Sequence, residues 1–158
     1  MKTRIGFVSN SSSSSFIFAL KEKPSAEDIH RELWDDSNGF GYEEMALHIF
    51  HDLQNAKPLS YKELLQEFTY GWFPEDENPN KAPQPEQFNR KNGKTDWLAY
   101  SVAHDKYRHK LAEEWINQFP DHQFYQLEYS DHDGVQHSQL EHEVPWYNWK
   151  NVFVLINH

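Results

Sequence analysis

Residues 152–156 (Val-Phe-Val-Leu-Ile) are apolar at every position, and no other stretch constrains the fold so tightly. A run this short reads as a strand, and a strand apolar on both faces has to be covered on both, the usual condition of a central strand. Residues 16–20 (Phe-Ile-Phe-Ala-Leu) and 4–8 (Arg-Ile-Gly-Phe-Val) read as two more short strands, apolar with β-branched and aromatic members. Residues 123–129 (Gln-Phe-Tyr-Gln-Leu-Glu-Tyr) alternate as a half-buried strand does. Asp133-Gly134 then supplies a hairpin turn into a further strand over 135–143.

Between these strands the apolar period changes to three-and-four. Ser25-Ala-Glu-Asp28 resembles a capping box with Asp where Glu is usual, and Ala26, Ile29 and Leu33 share one face of the helix behind it. Tyr42, Met45, Ala46, Ile49, Phe50 and Leu53 form the stripe of a second helix over 42–54. Ser60-Tyr-Lys-Glu63 is a clearer capping box, followed by Leu64, Leu65 and Phe68. Thr95 is placed to cap a long helix reaching about Phe119. Tyr100, His104, Tyr107, Leu111 and Trp115 lie on one face of it, with Leu98 and Val102 beside them. Four prolines among Asp, Glu, Asn and Gln make residues 74–94 a polar loop or insertion. Strands segregated from helices predict an α+β fold: a mainly antiparallel sheet of about five strands packed against helices, one long helix preceding the C-terminal strands. A length of 158 residues suits one domain over 1–158.

Composition removes several function classes. There is no Cys, so disulfides, thiolate metal sites and a cysteine nucleophile are excluded. The net charge of −10 opposes sequence-independent binding to nucleic acid or anionic lipid, and Arg90, Lys91 and Lys94 are the one tight basic cluster. No apolar run approaches the ~20 residues of a membrane helix, and the N-terminus lacks the apolar core of a signal peptide. The expected location is the cytoplasm.

The run Ser9-Asn10-Ser11-Ser12-Ser13-Ser14-Ser15 is unusual. An ordered loop of this kind presents successive backbone N–H groups and hydroxyl donors to a phosphate, a carboxylate or a nucleotide, and Arg4 can add a bidentate charge. The candidate ligand-binding residues are therefore Arg4, Ser9, Asn10, Ser11, Ser12 and Ser13. No Gly-Lys-Ser/Thr ending makes this a P-loop, and no Gly-x-Ser-x-Gly elbow surrounds any serine. The competing reading is structural, with serines bonding their own backbone in a tight crossover.

Arg4 to Phe16, read as R-I-G-F-V-S-N-S-S-S-S-S-F, resembles the opening of a group of uncharacterised bacteriophage and bacterial proteins. The C-terminal half is similar to them as well, in the turn Ser130-Asp131-His132-Asp133-Gly134, the Glu141-His142 pair and the Asn157-His158 end. The resemblance implies a phage or prophage setting, hence the cytoplasm of a bacterial host, and implies no mechanism.

Glu128, Asp131, His132, Asp133, His137, Glu141, His142 and Glu143 crowd into a short stretch, and His158 follows the last strand. Imidazoles with carboxylates suit Zn²⁺, Mn²⁺ or Fe²⁺, or acid/base work without metal. Asp131, Asp133, Glu141, His142 and His158 are the candidates. On a regular strand His137 and Glu141 share a face while His142 points the other way, so Glu141 and His142 do not then ligate one ion. The spacing is not His-Glu-x-x-His, and exposed turn and hairpin residues are the plain alternative. His48, His51, His104 and His109 read as ordinary helix residues. Two kinds of function stay open: a small metal- or anion/nucleotide-binding domain built from both segments, or a non-catalytic acidic accessory protein. The latter would bind a host or phage protein, as anti-defence or takeover proteins do, or serve as a virion or assembly component. No motif specifies a reaction.

Overall fold

A computed structural model describes residues 13–34, 42–70, 82–130 and 133–157. Strand β1 (Ser13–Leu20) is the axis of the fold. It pairs antiparallel with β2 (Gln123–Ser130) on one side and β3 (Val152–Asn157) on the other, giving the order β2-β1-β3. Five helices flank the sheet among the described residues: α1 (Ala26–Leu33), α2 (Tyr42–Asn55), α3 (Tyr61–Tyr70), α4 (Trp97–Ile116) and α5 (Val135–His142). The fold is α+β, with an antiparallel sheet of three strands among the described residues instead of about five.

Alternation along β1 builds two cores. Phe16, Phe18 and Leu20 point to one face and meet Tyr125, Leu127 and Tyr129 of β2 under α1, α2 and α5. Ile17 and Ala19 point to the other and meet Phe124 of β2, Leu64 and Phe68 of α3 and Ala112 of α4. Every residue from Phe16 to Leu20 is at most 5 % exposed. A large apolar side chain buried that far contributes about 1.5–3 kcal/mol relative to exposure, and β1 supplies such side chains to both cores.

The two capping boxes form as the sequence implies. Ser25 and Asp28 bond reciprocally at the start of α1, as do Ser60 and Glu63 before α3. The cap of α4 is Asp96, whose carboxylate accepts from the Ala99 N–H, and not Thr95, whose hydroxyl goes to Asn89. Part of the expected 74–94 loop is ordered structure: a 3-10 turn at Pro85–Phe88 and a bridge between Asn89 and Thr95.

Three expectations need correction. The strand expected over 135–143 is helix α5; only Val135 in that segment is β-branched, and Gln, Leu and Glu favour helix. Among the described residues β3 is an outer strand and β1 the central one. Both faces of β3 are nonetheless apolar because helices cover both sides of the sheet: Val152 and Val154 pack on one core and Phe153 on the other. Finally, Ser13–Ser15 continue β1 and are not loop, since β2 and β3 both extend far enough to pair with them. The strand expected at 4–8 lies outside the described residues.

Candidate functional site

Gly134 starts α5 with a φ of 106°, a conformation that side chains resist. The Asp-Gly pair thus makes its turn, but into a helix. At the other end Trp146 Nε1 donates to the Leu140 carbonyl at 2.9 Å inside the core. Held at both ends, α5 turns His137, Leu140 and Glu141 inward, since residues three and four apart share a face.

Glu141 reaches the serine strand. Its side chain is 1 % exposed. Ser14 Oγ donates to Glu141 Oε1 at 2.9 Å. The second oxygen, Oε2, is buried with no hydrogen-bond partner. His142 Nε2 stands 3.5 Å from Oε2, on a ring that is about half exposed. One turn earlier on the same face, His137 Nδ1 is also buried without a hydrogen-bond partner, 3.8 Å from Asp133 Oδ2. The strand geometry expected from the sequence separated Glu141 from His142; the helix brings both to one place.

The His137 ring lies edge-on to Tyr129 and to His48, with centroid separations of 5.5 and 5.7 Å. Tyr129 pairs with Ser14 across the ladder and donates its hydroxyl to Asp52 Oδ2 at 2.9 Å. His48 Nε2 is 3.6 Å from the same oxygen. Burial pushes the Tyr129 phenol far above its ordinary range, and the Asp52 charge and hydrogen bond add to this. Beside this group a cleft of ≈ 360 Å³ opens between α2 and α5, lined by Tyr42, Glu44, Met45, His48 and Gln139 among others. On the opposite face of the sheet, Ser15 Oγ donates to Glu128 Oε1 at 3.2 Å.

The sequence-derived candidates divide as follows. Glu141 and His142 meet on α5, whereas Asp133 stands beside His137 near its start. Ser13 sits between Ser130 and Asn157 in the ladder. Arg4, Ser9, Asn10, Ser11, Ser12, Asp131 and His158 lie outside the described residues, although Asp131 follows Ser130 in the chain and His158 follows Asn157. The sequence presents His48 as an ordinary helix residue and does not single out Asp52 or Tyr129. The signal that could have found the first two is their i, i+4 spacing along the edge of the α2 stripe.

Chemically, the groups that meet here are carboxylates, imidazoles and hydroxyls. Ser14 gives its proton to a carboxylate and not to an imidazole, so the pair is not an activated serine nucleophile. Among the described residues no three His, Asp or Glu side chains converge as a metal site. Glu141 Oε2, with His142 Nε2 3.5 Å away, and His137 Nδ1 one turn earlier are lone-pair donors of the right types for a divalent ion. Compared with known proteins, the chain matches no family model, no curated protein and no solved structure.

Proposed function

We propose that this chain is a small binding domain that takes a divalent cation at the serine end of its sheet, in the phage or prophage setting implied by its N-terminal resemblance. One observation carries the reading: two buried atoms on one face of α5, Glu141 Oε2 and His137 Nδ1, lack hydrogen-bond partners. An unsatisfied buried carboxylate oxygen costs free energy, and such groups are retained where a ligand completes them. The neighbouring charges agree, because Asp52, Asp133 and Glu141 favour a positive ligand. The hydroxyls of Ser14 and Ser15 are given to Glu141 and Glu128, which turns the preference away from a phosphate or carboxylate. Asp131 and His158, the other candidates from the sequence, lie outside the described residues.

The test is calorimetric titration of chelator-treated protein with Zn²⁺ and with Mn²⁺, repeated on Glu141→Gln and His137→Gln. One ion per chain, bound at least about tenfold more weakly by each variant, supports the reading. Absence of binding, or binding that neither substitution alters while circular dichroism shows both folded, refutes it.

A further inference from the structure

Glu141 is gripped from two sides. Helix α5 carries it into the first core, and Ser14 meets it from the central strand, donating to Oε1 at 2.9 Å. Ser14 is 7 % exposed and is paired with Tyr129 of β2 and with Ile156 of β3. A backbone held on both edges keeps the hydroxyl beside Oε1, so a ligand that took both carboxylate oxygens would have to break that bond. Oε2 alone is left for an ion.

The nearest second donor is the His142 imidazole. Its Nε2 stands 3.5 Å from Oε2 with no hydrogen bond between them. Two donors about 2.0–2.1 Å from one tetrahedral ion are about 3.3 Å apart, whereas neighbouring donors of an octahedral ion at the same bond length are about 3.0 Å apart. His137 Nδ1, one turn earlier and also buried without a hydrogen-bond partner, offers a further imidazole nitrogen. Ca²⁺ takes roughly 6–8 oxygen ligands and often binds a carboxylate through both oxygens. One carboxylate oxygen among imidazole nitrogens is instead a donor set of Zn²⁺.

Given the cation reading, on which this depends, we propose that Ser14 is a positioning residue that sets which ion is held. By keeping Oε1 in a hydrogen bond it confines Glu141 to ligation through Oε2, and so selects a four-coordinate ion of the Zn²⁺ type over Mn²⁺ and Ca²⁺. The other face of the same strand supplies the contrast. Ser15 Oγ donates to Glu128 Oε1 at 3.2 Å, but Glu128 is exposed, so that pair has no part in the choice.

The experiment is calorimetric titration of the chelator-treated full chain with Zn²⁺, Mn²⁺ and Ca²⁺, on wild type, Glu141→Gln, Ser14→Ala, Ser14→Thr and Ser15→Ala, with circular dichroism to check each fold. Wild type is expected to bind Zn²⁺ at least about tenfold more tightly than either other ion. Ser14→Ala should weaken Zn²⁺ about 10–100-fold. Mn²⁺ and Ca²⁺ gain the second oxygen and should not weaken, so the Zn²⁺-to-Mn²⁺ affinity ratio falls at least about tenfold. Ser14→Thr, which keeps the hydroxyl, and Ser15→Ala should retain the wild-type ratio. A merely structural role for Ser14 would lower all three affinities together. An ion bound through Glu141 with a ratio that Ser14→Ala leaves unchanged overturns the inference and leaves the cation reading standing, as does a wild type that prefers Mn²⁺ or Ca²⁺. A wild type that binds none of the three ions refutes the cation reading, and the inference falls with it.

Discussion

Replacing Ser14 by Ala and Glu141 by Met together should make the cation-free protein more stable. The double substitution removes a buried carboxylate whose Oε2 has no hydrogen-bond partner, together with the hydroxyl that serves Oε1. Leaving such an oxygen unpaired costs about 1–3 kcal/mol or more, and the hydroxyl–carboxylate bond returns about 1.5–3 kcal/mol. Met has the length of Glu, and its burial in an apolar setting adds about 1.5–3 kcal/mol. Replacing buried charged groups by well-packed apolar ones is often stabilising, and the balance here is about 2 kcal/mol in favour of the variant. At about 2–4 °C per kcal/mol for a chain of this size, the Tm rises by about 4–8 °C. Urea and thermal unfolding in the presence of a chelator measure this directly. The single variants fix the cause. Ser14→Ala alone leaves both oxygens of Glu141 without a hydrogen bond and should destabilise by about 1.5–3 kcal/mol. A double variant less stable than wild type by more than about 1 kcal/mol would refute the reasoning. It would mean that the folded chain already satisfies Glu141, and the cation reading would lose the observation that carries it.

Other outcomes follow from the same geometry. Because the Tyr129 phenol is held above its ordinary value of 10.0, the unfolded chain loses that proton first as pH rises. The stability it supports is complete below pH 10.0 and declines above it, a decline that Tyr129→Phe should remove from alkaline unfolding curves. Gly134→Ala meets no atom within 4 Å but forces a side chain to a φ of 106°. It should cost about 1–3 kcal/mol in urea unfolding and weaken cation binding without touching a ligand. Ile17→Ala, at 0 % exposure in the central strand, should cost about 2–5 kcal/mol, whereas Val135→Ala, at 76 % exposure, should stay within about 0.5 kcal/mol. Ser25→Ala removes the cap of α1 and should cost about 0.5–2 kcal/mol, read from the same curves.

What the sequence made legible was whatever rests on contacts close in the chain. The stripe of α2 and the capping boxes at Ser25 and Ser60 need only three- and four-residue spacings, and they form as expected. Segment 135–143 was misread because the Asp-Gly hairpin signal was set above the helix propensity of Gln, Leu and Glu, and the docking of Leu140 and Trp146 that supports the helix is not local in the chain. The order of the sheet was hidden for a related reason. A run of apolar residues reports apolar cover on both faces, and helices on both sides of a sheet give that to an outer strand too: Val152, Phe153 and Val154 are partly buried, each against one of the two cores. At the site, Ser14 to Glu141 is a contact across 127 positions and Tyr129 to Asp52 one across 77, so no local pattern could pair them.

The serine run acquires its meaning from that topology. Hydroxyls in the middle of a buried strand are costly unless paired, and the two faces of β1 pair theirs differently. Ser14 is answered by a helix that crosses the first core, Ser15 by Glu128 of the neighbouring strand on the second. The apolar end of β1, from Phe16 to Leu20, needs no such help and holds the two cores together. Moving along one strand from Leu20 to Ser13, the molecule therefore passes from packing to polar chemistry. The positions that flank Ser13 are those from which the acidic turn and the C-terminal histidine continue. Glu141 is the carboxylate that the fold desolvates at that end, so its substitution is where the cost of burial and the proposed cation are both read.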